Sequence, residues 1–295
     1  MDRIYLLLIV FFLSTGAACR KQAAPMPSDT TPAAAAPSLV PASSPSEPQP
    51  ALGTDPIEYE GYRLTRETRM GKWDETHEVE TAYGLLKFGS KTVMRFDAEP
   101  SMFGNEIAFG LVPALGPERK QIYVQRTGYR EQEDWIINLH PSLRVVYHST
   151  DFGFYNSAQT MDIDHDGSYE LLTRVTDYVS FADLPTCCSP VVTAILKYDQ
   201  RAKKYVPANY LFQEEALKGT DEELAKARGA GTALEFREHL LNAVLRYLYA
   251  GKEREGWEFF EKEYNKPDKA DLRLKIRRQL AHEPVFQYLH PHRTS

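Results

Sequence analysis

Two patterns of apolar residues divide the chain. Up to about residue 210, short runs rich in Val, Ile, Leu, Tyr and Phe recur at intervals of roughly ten residues, separated by turn-forming pieces such as LGPER and DQRAK. One pair of runs forms a predicted hairpin, with Gly89-Ser90 as its turn. Because no long amphipathic helix interrupts these runs, they predict an antiparallel meander.

After this region the apolar period becomes helical. NYLFQEEALKG leads into a predicted helix over 213–228. Thr232 and Glu235 then form a T-x-x-E capping box that opens the next helix, and Gly251 stands where a left-handed residue would end it. Two more helices are expected, the second capped by Asp268. Their apolar positions are Trp257, Phe260 and Tyr264, then Leu272, Ile276 and Leu280.

These patterns predict an α+β protein. Residues 56–212 are expected to form an antiparallel β-meander domain of blade-like sheets, and residues 213–295 a C-terminal α-helical cap packed on it. A closed propeller needs ~40–50 residues for each blade, which is more chain than the β-region offers. We therefore expect two or three sheets packed together rather than a ring.

The N-terminus has the pattern of an export signal. Arg3 precedes an apolar run, Ile4 to Leu13, that is too short to span a bilayer, and small residues follow it. This predicts a signal peptide over residues 1–18. The absence of a long basic run and a formal charge of −6 argue against nucleic acid as a partner.

Cys19 follows Gly16-Ala17-Ala18, which resembles a bacterial lipobox, although Gly16 replaces the usual leucine. The resemblance implies that Cys19 is lipidated and anchors the mature chain to a membrane of the bacterial cell envelope. Arg20 stands where inner-membrane retention uses aspartate, so the outer membrane is expected in a Gram-negative cell. The alternative is ordinary cleavage near Ala18, which leaves an exported protein without a lipid.

Residues 19–55 form a predicted linker. The segment is rich in Pro, Ala and Ser and has no aromatic residue, so it cannot bury enough apolar surface to order itself. Its proline content favours an extended, semi-rigid spacer. Such a spacer suits a domain held away from a membrane.

The main candidate for chemistry is the acidic stretch MDIDHDGSYELL. Asp162, Asp164 and Asp166 alternate with other residues and then meet Gly167, which permits a sharp turn. Three carboxylates in one turn repel one another unless a cation or a hydrogen-bond network compensates. Calcium, which takes six to eight oxygen ligands, is the natural candidate.

The pattern D-x-D-x-D-G-x-x-E-L between strands resembles the calcium loops of FG-GAP repeats, the hairpin loops of integrin-type propeller blades. The resemblance implies that Asp162, Asp164, Asp166 and Glu170 are side-chain ligands of calcium, and that Ser168 offers its carbonyl. An EF-hand is not matched, because its twelfth position is Thr173 rather than glutamate. An acidic turn without metal remains the alternative.

The helical region and the cysteine pair each carry a further pattern. Residues 232–267 resemble one tetratricopeptide unit, with Gly251 at the turn and Gly256 where the helices touch. A single unit implies a structural cap, or alternatively a partner-binding groove.

Cys187 and Cys188 are adjacent in an exported chain, and they can form a strained vicinal disulfide or remain free thiols.

Two functions are compatible with these residues. The first is a non-catalytic cell-envelope lipoprotein whose calcium-stabilised β-domain binds an envelope protein or a glycan. The alternative is an exported metal-dependent hydrolase that uses the acidic loop. The sequence contains no G-x-S-x-G, H-E-x-x-H or P-loop motif, so no catalytic residue is assigned.

Overall fold

The computed structural model describes residues 51–97, 100–101, 105–128 and 132–291. They belong to one compact unit, Ser46–Ser295. The predicted signal peptide, Cys19 and the linker up to residue 50 lie outside the described residues. At the end of the predicted linker, Gly53 already exchanges two backbone hydrogen bonds with Phe109. No helix in the described ranges combines the length and apolarity needed to cross a membrane.

The β-region forms three four-stranded antiparallel sheets, each a meander of consecutive strands. Sheet 1 contains β1 (Ile57–Tyr59), β2 (Tyr62–Lys72), β3 (Glu78–Phe88) and β4 (Lys91–Phe96). Sheet 2 contains β5 (Glu106–Val112), β6 (Gln121–Thr127), β7 (Gln132–Asn138) and β8 (Arg144–His148). Sheet 3 contains β9 (Gln159–Met161), β10 (Glu170–Val175), β11 (Val192–Asp199) and β12 (Lys204–Pro207). The predicted Gly89-Ser90 turn joins β3 to β4.

Sheet 2 lies between the other two sheets. Along β6, Ile122 and Val124 pack with sheet 1 residues, whereas Tyr123 between them packs with sheet 3 residues. Successive side chains of a strand point to opposite faces, so a strand that is apolar at every position is buried on both sides. This explains why β6 has a continuous apolar run.

The helical region follows directly on β12. Its helices are α1 (Gln213–Ala216), α2 (Thr220–Gly229), α3 (Ala233–Tyr249), α4 (Glu253–Glu263), α5 (Lys269–Leu280) and α6 (Pro284–Leu289). The single helix predicted over 213–228 is wrong, because Gly219 adopts a left-handed φ of 76° and separates α1 from α2. Thr232 caps α3 by accepting a hydrogen bond from the Glu235 backbone N–H at 3.2 Å. Gly251, at φ 77°, follows the end of α3 as predicted.

Gly256 lies where two helices pack closely. A Cβ on Gly256 would lie 3.0 Å from side-chain atoms of Leu248 and Tyr247, so this residue lets α4 approach α3 closely.

The predicted cap at Asp268 is wrong. Its side chain makes no cap hydrogen bond to α5 and instead accepts from Arg237 at 2.6 Å and from the Tyr264 hydroxyl at 2.9 Å.

The helices share a hydrophobic core with sheets 2 and 3. Apolar residues of α3, α4, α5 and α6 belong to the same buried cluster as those of sheets 2 and 3. A buried chain of polar groups crosses this boundary: the Tyr178 hydroxyl contacts the Tyr249 hydroxyl at 3.2 Å, which donates to the Glu283 carboxylate at 2.6 Å. The α+β prediction of blade-like sheets followed by a helical cap is confirmed.

Asp134 joins sheet 2 to the start of sheet 3. Its carboxylate is buried, and its Oδ2 accepts the Tyr123 hydroxyl at 2.7 Å and the Ala158 backbone N–H at 2.9 Å. Burial raises the pKa of this carboxyl, although the two hydrogen bonds act in the opposite direction. The folded protein therefore retains this proton to a higher pH than the unfolded chain.

This proton sets a pH dependence of stability that Asp134→Asn should remove. As pH rises above the ordinary aspartate pKa of about 4, the unfolded chain ionises first, so wild-type stability falls until the raised folded pKa is passed. Asparagine keeps an acceptor oxygen but cannot ionise. Urea unfolding from about pH 4 to about pH 8 should show the variant gaining stability relative to wild type across this window. Parallel pH curves for the two proteins would refute the assignment.

Candidate metal centre and adjoining cleft

The acidic loop is the connection between β9 and β10. Asp162 directly follows β9, and Glu170 opens β10 opposite Met161, so the hairpin brings the two ends of the motif together. Left-handed backbone at His165 and Gly167, with φ 57° and 83°, turns the chain between them. The motif is therefore flanked by strands and not by helices.

Backbone N–H groups of the loop orient its carboxylates. Asp162 Oδ2 accepts from Gly167 at 3.1 Å, and Asp166 Oδ1 accepts from Ser168 at 2.8 Å. Glu170, whose side chain is fully buried, accepts from the Ile163 backbone N–H at 2.9 Å. These bonds orient one oxygen of each of these three carboxylates and hold the loop closed.

The three aspartates converge on one point. One carboxylate oxygen of each of Asp162, Asp164 and Asp166 lies within 4.8 Å of the others, so these residues can hold a metal ion. Carboxylate oxygens are hard ligands, which suit hard cations such as calcium and magnesium better than soft ones. The role predicted for the Ser168 carbonyl stays a prediction.

Lys197, which is far from the loop in sequence but lies on the neighbouring strand β11, contacts the same carboxylates. Lys197 Nζ, on β11, donates to Asp164 Oδ2 at 2.8 Å, Asp166 Oδ2 at 2.9 Å and Glu170 Oε1 at 2.8 Å. Its ammonium group thus stands against three of the four side chains predicted to bind calcium. With Asp162 included, the motif carries four carboxyl groups against this one ammonium group, which contacts three of them.

The pKa values follow this arrangement. Burial alone would lower the pKa of Lys197, but hydrogen bonds to the three carboxylates raise it above its usual value. The same lysine, with the Ser168 N–H, lowers the pKa of the Asp166 carboxyl. For Glu170, burial outweighs the lysine and raises the pKa. The Asp166 carboxyl therefore stays ionised to lower pH than the buried Glu170 carboxyl.

A polar cleft of about 470 Å³ lies on the same face of sheet 3. Leu172 is two residues beyond Glu170 on β10, and Thr193 is four residues before Lys197 on β11, so alternation places all four side chains on one face. The cleft walls carry mainly neutral amide and hydroxyl groups with one arginine: Asn156, Ser157, Gln159, Leu172, Thr173, Arg174 and Thr193.

Asn156 shapes this cleft by closing the sheet edge. β9 begins at Gln159, opposite Leu172, so the part of β10 beyond Leu172 has no neighbouring strand on that side. Asn156 Nδ2 donates to the Arg174 carbonyl at 2.9 Å, and its Oδ1 accepts from the Arg174 N–H at 3.1 Å. The side-chain amide thus replaces a strand, and the cleft opens beside it.

The two cysteines lie in a separate loop between β10 and β11. Cys187 and Cys188 are free thiols with their sulfurs 3.3 Å apart, and Cys187 is exposed. The vicinal disulfide stays a prediction. The lipidation of Cys19 falls on a residue outside the described part.

Lys197 and the cleft were not anticipated from the sequence. Lys197 is 27 positions from Glu170, and only the strand pairing of sheet 3 brings the two together. A signal was present: Lys197 is the only positively charged residue of β11. The cleft depends on the same register and has no local sequence motif.

Comparison with known proteins finds no matching family model, no matching curated protein and no matching solved structure.

Proposed function

We propose that this chain is a non-catalytic, lipid-anchored protein of the bacterial cell envelope whose calcium-stabilised β-domain binds a glycan. The observation that carries this proposal is the placement of the acidic loop and the polar cleft side by side on one face of sheet 3. The predicted signal peptide, Cys19 and the linker support the envelope location.

Calcium is the proposed ligand of the loop. Asp162, Asp164, Asp166 and Glu170 supply carboxylate oxygens, and calcium tolerates the irregular geometry of such a set better than magnesium does. Binding displaces Lys197, whose long side chain can swing towards solvent. In this role calcium stabilises the folded state because it binds the native hairpin and not the unfolded chain.

The cleft favours a saccharide over a protein partner. Amide and hydroxyl side chains such as Gln159 and Thr193 offer both donors and acceptors, which match the hydroxyl and acetamido groups of sugars. Leu172 provides an apolar part of the lining, and Tyr155, the chain neighbour of the lining residue Asn156, is 51% exposed. An envelope protein as partner is the alternative that a negative result would favour.

The hydrolase alternative receives less support. Asp164, Asp166 and Glu170 take hydrogen bonds from Lys197 and from backbone N–H groups of the loop. A lysine held by three carboxylates has a raised pKa and cannot act as a general base near neutral pH.

Chitotetraose, a neutral saccharide rich in acetamido groups, tests the cleft. Calorimetric titration of residues 46–295 in calcium should give binding that Gln159→Ala and Thr193→Val each weaken about tenfold, or about 1.4 kcal/mol. Thr92→Val, an exposed threonine on β4, is the matched control and should bind like wild type. Maltotetraose, a saccharide without acetamido groups, is titrated in the same way. Equal affinity in all variants, or no binding of either saccharide, would rule out a saccharide cleft here.

A further inference from the structure

The Cys187–Cys188 pair forms a compact dithiol on the protein surface. The two residues belong to a short 3-10 turn, Thr186–Cys188, and their sulfurs are in hydrogen-bond contact at 3.3 Å. Cys187 is exposed and Cys188 is partly buried. The pair is therefore accessible to small reagents from solvent through Cys187.

Hydroxyl groups hold the surrounding loop in one conformation. Ser189 Oγ accepts from the Ser180 backbone N–H at 2.8 Å, and Ser180 Oγ contacts Thr186 Oγ1 at 3.1 Å. These bonds tie the thiol turn to the preceding segment of the loop. Hydrogen bonds within the folded loop therefore fix the positions of the two thiols.

The preceding segment stores backbone strain. Ser180, Ala182 and Asp183 have φ values of 57°, 55° and 64°, in the left-handed region. Non-glycine residues in this region are strained and persist only where the surrounding structure enforces the conformation. Asp183 is tied to Lys275 of α5 at 2.9 Å, which connects the loop to the helical cap. A change at the thiols therefore acts on a strained, tethered segment.

We propose that Cys187 and Cys188 are a redox modification site that forms a reversible vicinal disulfide by exchange with a low-molecular-weight disulfide. This inference is independent of the calcium and glycan proposals. Neighbouring Cα atoms across a trans peptide are about 3.8 Å apart, below the roughly 4.4–6.8 Å that disulfides usually span. The ring is strained as a result, and strained disulfides are the easily reduced ones.

The exchange proceeds in two steps. Cys187, as thiolate, attacks one sulfur of the donor RSSR: a Cys187–SR bond forms, the donor S–S bond breaks, and RS⁻ leaves and takes up a proton. Cys188, as thiolate, then attacks the Cys187 sulfur, and a second RS⁻ leaves. The two thiols lose two protons and two electrons in total, and the donor disulfide is reduced to two RSH.

Exposure and charge explain why Cys187 reacts with the donor first and Cys188 second. Cys187 is the more accessible sulfur, so it meets the donor first. The hydrogen bond to Cys187, burial and the neighbouring Glu238 carboxylate raise the pKa of the Cys188 thiol to about 11. Ring closure therefore depends on deprotonating Cys188. Removing the Glu238 charge should accelerate the second step and leave the first unchanged.

The test uses the full chain carrying Cys19→Ser, which leaves the pair as the only cysteines. The protein is incubated with oxidised glutathione, quenched with iodoacetamide at timed points and analysed by intact mass. We expect a species lighter by two hydrogens that dithiothreitol restores. Cys188→Ser should accumulate the glutathione adduct, Cys187→Ser should react slowly, and Glu238→Gln should close the ring several-fold faster.

Two results would overturn the inference. The first is complete alkylation of both thiols after prolonged exposure to oxidised glutathione. The second is wild type that stops at the adduct or forms only disulfides between chains. Circular dichroism of each reduced variant checks that the fold is retained, and Glu238→Gln keeps the test valid if a cysteine variant misfolds.

Discussion

Replacing Lys197 by methionine should destabilise the protein in calcium-free buffer by about 2–3 kcal/mol and make calcium binding tighter by about tenfold. Lys197 is the cation that contacts the buried Glu170 carboxylate at 2.8 Å. Without it, a fully buried carboxylate and two neighbouring aspartates face one another uncompensated. Methionine retains most of the side-chain volume, so the loss reports the charge and not a cavity.

Chemical denaturation with and without calcium measures this effect. Added calcium should restore most of the stability lost in Lys197→Met, because the cation takes over the role of the ammonium. Lys204→Met, on the neighbouring strand β12, removes an exposed lysine and should change neither quantity. A variant that is destabilised but not rescued by calcium would show that the lysine is a permanent counterion and that the loop binds no calcium.

Replacing Glu283 by alanine should cost about 2–4 kcal/mol, because several buried donors lose their acceptor at once. The carboxylate is fully buried and accepts from the Tyr249 hydroxyl, from the Val285 N–H at 3.1 Å and from the Phe286 N–H at 2.6 Å. It therefore both caps α6 and ends the polar chain from Tyr178. Burial raises the pKa of Glu283, so a neutral acceptor is tolerated there.

Urea unfolding of Glu283→Ala and Glu283→Gln separates these contributions. Glutamine keeps one acceptor oxygen and should lose clearly less stability than alanine. Both variants should unfold in a single transition, because the cap shares one core with sheets 2 and 3, and sheet 2 also packs against sheet 1. A loss below about 1 kcal/mol for alanine, the usual net value of one hydrogen bond, would contradict the account of this junction.

Much of the fold was predictable because its signals are local. Alternation of apolar residues marks each strand, and Thr232 and Gly251 mark the ends of α3. The errors arose where local signals competed with tertiary contacts. The helical pattern over 213–228 includes Gly219, although a glycine inside a helical pattern is also a break signal. Asp268 looked like a cap, but Arg237 and Tyr264 bind its carboxylate instead.

The candidate site divides in the same way. The acidic residues form a contiguous motif, so the loop and its strand setting could be predicted. Lys197, the Asn156 edge contact and the cleft depend on strand register over distances of 18 and 27 positions in the chain. A single sequence does not specify such pairings, since shifting a strand by one residue exchanges its two faces.

Calcium titration of residues 46–295 tests the central claim most directly. Calorimetry should show one calcium ion bound per chain. Thermal unfolding should shift upward relative to chelator by several degrees, since about 1 kcal/mol moves the melting temperature of a domain of this size by roughly 2–4 °C. Asp164→Ala should abolish both effects, whereas Asp151→Ala, an exposed aspartate outside the loop, should keep them. No binding at millimolar calcium, or equal binding by Asp164→Ala, would contradict a calcium site in this loop.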